Sequence, residues 1–283
     1  MNVPPGGARN LKYDPKGYWY AKDAVPLSYP ADGNDTCFSF EDDSFWFRHR
    51  NNVISTMMRQ FPPGGAIFDI GGGNGYVAAG LERAGFSTVL VEPGRVGAEN
   101  ACRRGLRKVV NATVETAQFV PGSADAVGLF DVLEHIQDES AFLASIRRLM
   151  KPGGRIYLTV PAFQLLWSKE DDFAGHYRRY SQALLTKVLS DAGFHVEFAS
   201  YFIWFLPLPI FFLRAIPSRL GWRGKPSTNR AKQEHTHTGF TAKVIDWVLS
   251  NELSRLNSKR TIPLGGSCIA VARLPGSRLA RAA

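Results

Sequence analysis

The stretch Ala66-Ile67-Phe68-Asp69-Ile70-Gly71-Gly72-Gly73-Asn74-Gly75 decides the fold of this chain. Its first half is mostly apolar and leads directly into a glycine cluster, which is typical of a buried parallel strand that turns sharply beneath a ligand. Glycines lack a Cβ atom, so they adopt positive φ angles and let the backbone approach a bound molecule. The helix that follows offers unpaired N–H groups at its start. We therefore predict a small ligand at this turn.

The glycine spacing argues against two nucleotide-binding motifs. The dinucleotide fingerprint needs glycine at its first, third and sixth positions, which here are Gly71, Gly73 and Tyr76. Tyr76 therefore disfavours an NAD-dependent oxidoreductase. The nucleoside-triphosphate P-loop is excluded because no Gly-Lys-Ser/Thr follows. The next apolar run ends in Glu92, about twenty residues on, where a carboxylate can accept both hydroxyls of a ribose.

The pattern Asp-x-Gly-x-Gly-x-Gly, from Asp69 to Gly75, resembles motif I of the class I S-adenosylmethionine (SAM) dependent methyltransferases. Later segments resemble further strands of that family in the same order: Val109–Thr113, Ala124–Asp131, the Lys151-Pro-Gly-Gly turn before Ile156–Pro161, and Ser267–Ala272. The main resemblance covers roughly residues 60–200. It implies an α/β, Rossmann-like fold: a seven-stranded, mostly parallel sheet with an antiparallel last strand and helices on both faces. The same comparison predicts an insertion between strands six and seven.

The resemblance also implies the cofactor and its contacts. The cofactor is expected to be SAM, with S-adenosylhomocysteine as its product. Asp69 is expected to organise the glycine turn and the amino-acid end of SAM. The full set of predicted cofactor-binding residues is Asp69, Gly71, Gly73, Gly75, Glu92, Pro93, Thr113, Val114 and Phe130.

Two histidines are candidate bases for the acceptor, because methyl transfer to a hydroxyl or an ammonium requires removal of a proton. His135 lies in the Asp131-Val-Leu-Glu134-His135-Ile box after the fourth strand, and its alternative role is to shape the SAM pocket. His176 follows the fifth strand, and its alternative role is to cap the helix that begins at Ser181. Both positions correspond to the carboxyl edge of the sheet, where ligands bind in open α/β folds.

A metal site is left open but not predicted. Some family members, including small-RNA and ubiquinone-pathway O-methyltransferases, bind a divalent metal through a Glu-x-x-Glu-His form of the box. This chain departs from that form, because Asp131 takes the place of the first glutamate.

Five further residues are predicted to contact the acceptor. Arg178 and Arg179 are suited to bidentate binding of a carboxylate or phosphate, and Tyr177 and Tyr180 to stacking on a ring. Trp46 lies with Arg48 and Arg50 in an aromatic segment at helical spacing, Phe40–Arg59. In this family such N-terminal helices often cover the SAM pocket; plain core packing is the alternative.

The chain divides into four predicted regions. Residues 1–60 form an N-terminal arm, extended or partly disordered over 1–35, followed by a lid helix. Residues 61–200 form the SAM-binding core. Residues 201–262 form the insertion, and residues 263–283 the last strand and a tail.

The insertion begins with a run without charged residues, Tyr201–Leu213, and continues with basic residues and Trp222. The run is broken by two prolines and is shorter than the ~20 residues that a transmembrane helix needs. We predict that it lies at a membrane surface or walls a hydrophobic pocket; the alternative is a buried helix with a solvated basic loop. The amphipathic helix Phe240–Leu256 follows. The basic residues are Arg214, Arg219, Arg223, Lys225, Arg230 and Lys232.

Composition sets broader limits. With 45% hydrophobic and 21% charged residues among 283, the chain is typical of a folded protein. The net charge of +9 suggests an anionic partner or only a solubilising excess, and no nucleic-acid-binding module is present. Three widely spaced cysteines and an N-terminus without the apolar core of a signal peptide predict a cytoplasmic protein. The insertion leaves peripheral contact with a membrane open as one alternative.

These patterns predict a SAM-dependent methyltransferase of a biosynthetic pathway that acts on a small-molecule or lipid-like acceptor at oxygen. Transfer to nitrogen or carbon of a natural product or sugar is one alternative. A SAM-binding, membrane-associated partner without catalysis is the other.

Overall fold

The structure, a computed structural model, describes residues 3–23, 33–224, 232, 236 and 239–276. A single sheet of nine strands forms its centre, in the order β1-β2-β5-β4-β3-β6-β7-β9-β8. The strands are β1 Lys12–Tyr13, β2 Trp19–Tyr20, β3 Ile67–Ile70, β4 Thr88–Val91, β5 Val109–Asn111, β6 Ala124–Phe130, β7 Met150–Pro161, β8 His195–Phe202 and β9 Ser267–Arg273.

The seven strands from β3 to β9 confirm the predicted fold class. Strands β5, β4, β3, β6 and β7 are parallel neighbours, and β9 lies antiparallel between β7 and β8. All residues of β3 and β4 are buried, as expected for strands covered by helices on both faces. The glycine turn therefore lies at the carboxyl edge of the central strand.

The N-terminal arm contains more regular structure than predicted. Strands β1 and β2 form a hairpin, and β2 pairs parallel with β5 at the edge of the sheet, so the sheet has nine strands rather than seven. Tyr18 and Trp19 are buried in this hairpin. Their large apolar surface provides the burial that offsets the entropy of ordering a short segment.

Helices cover both faces of the sheet. The helix α2 and the long helix α11 both contribute to the hydrophobic cluster on one face, together with α3, whereas α6 and α8 contribute to the cluster on the other. The helices are α1 Gly33–Phe38, α2 Phe45–Gln60, α3 Tyr76–Arg83, α4 Arg95–Arg103, α5 Val114–Ala117, α6 Glu139–Leu149, α7 Lys169–Ala174, α8 Gln182–Asp191, α9 Pro207–Ile210, α10 Ile216–Arg219 and α11 Gly239–Asn257.

The insertion starts with a nearly continuous helical segment. Helix α9 continues through a π-helical turn, Phe211–Ala215, into α10. Of the predicted basic run, Lys225 and Arg230 lie outside the described residues. Among the helices that the structure describes, none combines the length and the apolar character needed to cross a membrane.

Three strained residues mark the carboxyl edge of the sheet. Asp131 follows β6, Phe163 lies just beyond β7 and Ile203 follows β8, and all three have positive φ angles between 55° and 57°. Residues other than glycine rarely adopt this conformation, and such strain is concentrated at functional sites in proteins. The strained edge is also the edge that carries the glycine turn.

Candidate functional site

The glycine turn has the geometry that its sequence predicts. Gly71, Gly73 and Gly75 have φ angles of 70°, 52° and 74°. Gly72, which was not among the predicted contacts, has no room for a side chain, because its Cβ would lie 2.2 Å from Leu90 and 2.7 Å from a carboxylate oxygen of Asp69. At these four glycine positions, the backbone of the turn therefore carries no side chain that could cover it.

Glu92 lies directly beside this turn at the end of β4. Its carboxylate accepts hydrogen bonds from the N–H groups of Gly73 at 2.8 Å and Gly94 at 2.6 Å. Burial raises the pKa of Glu92 to about 7, although both hydrogen bonds favour the charged form. The carboxylate thus reaches the glycine turn, as a ribose-binding residue must.

Asp69 lies beneath the turn. Its side chain is fully buried. Burial raises the pKa of Asp69 to about 7; Arg50 opposes the rise and Glu92 adds to it. Two acidic groups that titrate near neutrality therefore lie at the turn, which is typical of a binding site.

We expect SAM affinity to depend on pH through Glu92. Ribose hydroxyls donate to a carboxylate, so binding favours the ionised form, and the dissociation constant should rise by up to about tenfold per pH unit below about pH 7. Calorimetric titrations with SAM across this range measure the effect. Glu92→Gln should weaken binding above pH 7 and remove most of the dependence. An unchanged pH dependence in this variant would assign it to Asp69 instead.

The remaining predicted cofactor residues lie along the same edge. Pro93 follows β4 and is half-buried, and its carbonyl accepts a hydrogen bond from Asn111. Thr113 caps α5 through its side chain, Val114 begins that helix, and Phe130 ends β6. Their positions agree with the predicted site, and their contacts with SAM remain predictions.

A polar network that the sequence did not reveal covers the turn. Asn74 donates hydrogen bonds to the carboxylate of Glu41 at 2.6 Å and to the carbonyl of Asn34, in α1, at 2.7 Å. Arg104 also donates to Glu41, at 2.7 Å. These contacts hold the segment between α1 and α2 against the glycine turn, so the N-terminal region is part of the site.

Arg50 connects helix α2, the predicted lid helix, to the sheet. It is buried and forms an ion pair with Asp131, the strained residue after β6. Its guanidinium lies 4.6 Å from the ring centre of Trp46 and 5.0 Å from that of Phe47. Trp46 therefore orients Arg50 from within the lid. Whether Trp46 also contacts the acceptor remains a prediction.

Two segments far apart in sequence bring the candidate histidines together. The rings of His135 and His176 lie edge to face, with centres 4.7 Å apart. One ligand atom each from Glu134, His135 and His176 lies within 4.8 Å of the others. Nδ1 of His176 is hydrogen-bonded to Asp171 at 2.9 Å. His176 does not cap the helix at Ser181, because Ser181 caps α8 with its own hydroxyl.

Burial changes the ionisation of this cluster. The pKa of Glu134 lies well above its usual range, because its side chain is buried and Asp131 is close by. Burial, with a smaller contribution from His176, lowers the pKa of His135 to about 3. His135 is thus neutral at physiological pH and has the form in which histidine binds a metal.

The structure corrects two predicted acceptor contacts. Arg179 is buried and donates to both carboxylate oxygens of Asp171, at 2.7 and 3.0 Å, so its guanidinium is not available to an acceptor. Tyr180 is fully buried, and its hydroxyl donates to Glu139 at 2.6 Å, so it cannot stack on a ligand. The sequence shows the charge of Arg179 and the ring of Tyr180, but it does not show that both side chains are buried.

Arg178 and Tyr177 remain candidates. Arg178 is only partly buried; it pairs with Glu139 and donates to the carbonyl of Gln137. Tyr177 is exposed, and its N–H donates to the carbonyl of Glu134 at 2.7 Å, which fixes it beside the histidine cluster. Both residues therefore lie next to the candidate catalytic groups.

Comparison with known proteins agrees with this geometry. A family model described as a methyltransferase domain matches residues 46–197. A protein of Mycolicibacterium smegmatis, described as a probable S-adenosylmethionine-dependent methyltransferase, is 25% identical over 178 residues, which are 62% of this chain and 68% of that protein. A ubiquinone biosynthesis O-methyltransferase of Xanthomonas oryzae is 31% identical over 104 residues, but these cover only 34% of this chain and 43% of the relative.

A solved structure shows the same fold. The phosphoethanolamine N-methyltransferase 2 of Haemonchus contortus, determined in complex with S-adenosyl-L-methionine, has a TM-score of 0.55 and 18% identity. The similarity covers 91% of this chain and 62% of that one. Because the family model covers more than half of the chain and the site carries the expected glycine turn and ribose acid, this protein belongs to the class I SAM-dependent methyltransferases.

Proposed function

We propose that the protein transfers the methyl group of SAM to a hydroxyl of a small-molecule or lipid-like acceptor, with His176 as the base, in peripheral contact with a membrane. The observation that carries this proposal is the hydrogen bond between Nδ1 of His176 and the buried carboxylate of Asp171. A carboxylate in this position fixes the tautomer and the orientation of the ring, and it leaves Nε2 to accept a proton.

The residues of the chain then have separate tasks. SAM supplies an activated methyl group on a sulfonium. The glycine turn and Glu92 hold its nucleoside part, and the lid helix covers it. His176 accepts the hydroxyl proton as the oxygen–methyl bond forms and the sulfur–methyl bond breaks. The protein contributes mainly alignment and proton removal, of which alignment alone can lower a barrier by several kcal/mol.

Oxygen is favoured as the acceptor atom by the similarity to ubiquinone biosynthesis O-methyltransferases, although the chain spans less than half of their length. Transfer to nitrogen or carbon would use the same cofactor half of the site. The test is to incubate the purified protein with methyl-labelled SAM and a cell extract, and then to separate lipid from aqueous products. A labelled methyl ether supports the proposal. A labelled methyl ester, amine or carbon would correct it, and SAM binding without any label would favour a protein that has lost catalysis.

The histidine cluster also fits a divalent cation. Glu134, His135 and His176 provide three ligand atoms in close proximity, and one oxygen of Glu134 has no hydrogen-bond partner among the described residues. A bound cation would lower the pKa of an acceptor hydroxyl. Loss of activity with a chelator and its return with Mg²⁺ or Mn²⁺ would assign this role to the cluster. Activity that a chelator does not change would leave His176 as the base.

Arg50→Met is expected to raise the dissociation constant for SAM by about tenfold to a hundredfold. The substitution removes charge-assisted hydrogen bonding to Asp131, typically ~1.5–3 kcal/mol, and with it the connection between the lid and the sheet. Arg48→Met is the matched control, because Arg48 lies on the same helix but contacts the Asp43 carbonyl and, at 3.9 Å, Asp246. Calorimetric titration with SAM compares the two. Equal SAM affinities of the two variants would show that the contribution of helix α2 to SAM binding does not depend on Arg50.

A further inference from the structure

Exposed apolar side chains are concentrated in the first part of the insertion. Five of them lie between residues 208 and 222 and have 52–77% of their surface exposed: Leu208, Phe212, Leu213, Leu220 and Trp222. We call these five the insertion face. Soluble monomeric proteins rarely expose large contiguous apolar surface unless it contacts a partner.

Hydrogen bonds anchor the chain just before the insertion face and near its end. At its start, the N–H groups of Ile203 and Trp204 donate to the buried carboxylate of Glu252, at 2.7 and 2.8 Å, and His49 of the lid helix contacts the same carboxylate. At its end, Arg219 donates to the carbonyl of Leu165 at 2.6 Å. The exposure of these side chains is therefore a property of the folded protein.

The insertion face lies beside the segment that carries His176. Arg223 pairs with Glu170 at 2.6 Å, and the N–H of Lys169 donates to Ser218 at 3.2 Å, so α7 packs against the end of the insertion helix. Leu165 and Phe173, on the His176 side of this junction, are also exposed, at 60% and 54%. Whatever covers the insertion face is thus close to the acceptor side of the site.

The charge of residues 201–224 indicates which kind of partner covers the insertion face. Residues 201–224 contain three arginines and no acidic residue, in a chain of net charge +9. The guanidinium of Arg223 is largely buried against Glu170, whereas Arg219 is exposed between the apolar residues. Asp172, an exposed acid on α7, accepts a hydrogen bond from Trp167. Apolar and aromatic side chains beside arginines suit the interface of an anionic bilayer, where tryptophan is enriched and each cation contributes attraction.

A second copy of the chain fits this surface less well. A two-fold symmetric contact would place the same face on both sides of the interface, so that both copies bring Arg219 to it and residues 201–224 supply no acid to either. A bilayer with anionic headgroups instead places negative charge opposite them.

We propose that the insertion face docks onto an anionic lipid bilayer, so that the acceptor is a lipid taken from the membrane surface. The assignment of the acceptor rests on the proposed function, and the docking specifies its membrane contact; the docking can be tested without methyl transfer. Docking of this kind would place the His176 segment at the lipid surface, because Phe173 precedes His176 by three residues.

The test uses sedimentation of the full-length protein with phosphatidylcholine vesicles, with and without phosphatidylglycerol. We expect binding to the anionic vesicles that weakens as salt is raised. The double substitution Phe212→Ser and Trp222→Ser should lower the vesicle partition coefficient at least tenfold, and Arg219→Gln by about fivefold, on anionic vesicles only. Leu184→Ser is the matched control, since Leu184 is exposed on α8 and does not belong to the insertion.

Three outcomes would overturn the inference: no binding to anionic vesicles at low salt, equal loss of binding in the Leu184→Ser control, or conversion of a dimer to a monomer by the double substitution. Affinity for SAM and thermal unfolding of each variant show whether it is folded. Failure of vesicle binding together with labelled product from a water-soluble acceptor would reject docking and membrane contact, and would leave methyl transfer with His176 as the base intact. Vesicle binding without any methyl transfer would support docking and reject the proposed methyl transfer.

Discussion

Replacing His176 by alanine is expected to lower methyl transfer by about 10²–10⁴-fold, the usual contribution of a positioned base, while affinity for SAM stays nearly unchanged. The physical reason is that Asp171 holds the imidazole through Nδ1, whereas the cofactor contacts lie at the glycine turn and Glu92. Single-turnover rates with methyl-labelled SAM and calorimetric SAM titration separate the two effects.

The matched control for this substitution is His195→Ala, because His195 is exposed at the start of β8, remote from the carboxyl edge. It should have full activity. Normal turnover of His176→Ala would remove His176 from the catalytic residues. In that case, the pH dependence of the rate of the His135→Ala variant would show whether His135 removes the proton.

Asp171→Ala is expected to lower the free energy of unfolding by about 3–5 kcal/mol. Removal of one partner of a buried ion pair leaves the other charge uncompensated, and here the buried Arg179 would lose both of its carboxylate contacts. Denaturant unfolding measures the loss, and Asp172→Ala, one residue further on and exposed, is its control. A similar stability for both variants would show that the buried pair does not support the fold.

The lowered pKa of Asp171 also predicts that the protein loses stability in acid. Burial disfavours its charge, but hydrogen bonds and charge from His176 and Arg179 outweigh this and lower the pKa of Asp171 to about 2. A depressed pKa contributes stability that is present above the pKa of the unfolded chain, near 4, and is lost as the pH falls toward about 2. The contribution is about 2 kcal/mol. In Asp171→Ala, unfolding should depend less on pH across this interval.

The sequence was sufficient to predict the glycine turn and the position of Glu92 beside it, because this part of the candidate site is local. A strand, a glycine turn and a carboxylate about twenty residues later determine one another through backbone geometry, and the structure has Glu92 bonded to Gly73 as this requires. The strands β6, β7 and β9 were predicted through the resemblance to the family. The hairpin β1–β2 was missed because two-residue strands leave no periodic pattern.

The acceptor half was only partly predictable, because its residues meet through the fold. His135 and His176 lie 41 positions apart and come together only where the ends of β6 and β7 adjoin. Asp171 stands in the acidic run Glu170-Asp171-Asp172, and nothing in the sequence distinguishes the member that is buried. The assignments of Arg179 and Tyr180 failed for the same reason, since residue type alone does not show which side chains face solvent.

The position of the insertion has a further consequence, which concerns the entropy of chain closure. Residues 203–266 connect β8 to β9, two strands that lie side by side in the sheet. Closing a loop costs about 0.6 kcal/mol for each doubling of its length, so extending a short hairpin to about sixty residues costs roughly 2–3 kcal/mol. The long pairing of β9 with both β7 and β8 tolerates such a cost. Surface elements of very different size can therefore be exchanged at this connection while the catalytic edge of the sheet keeps its structure.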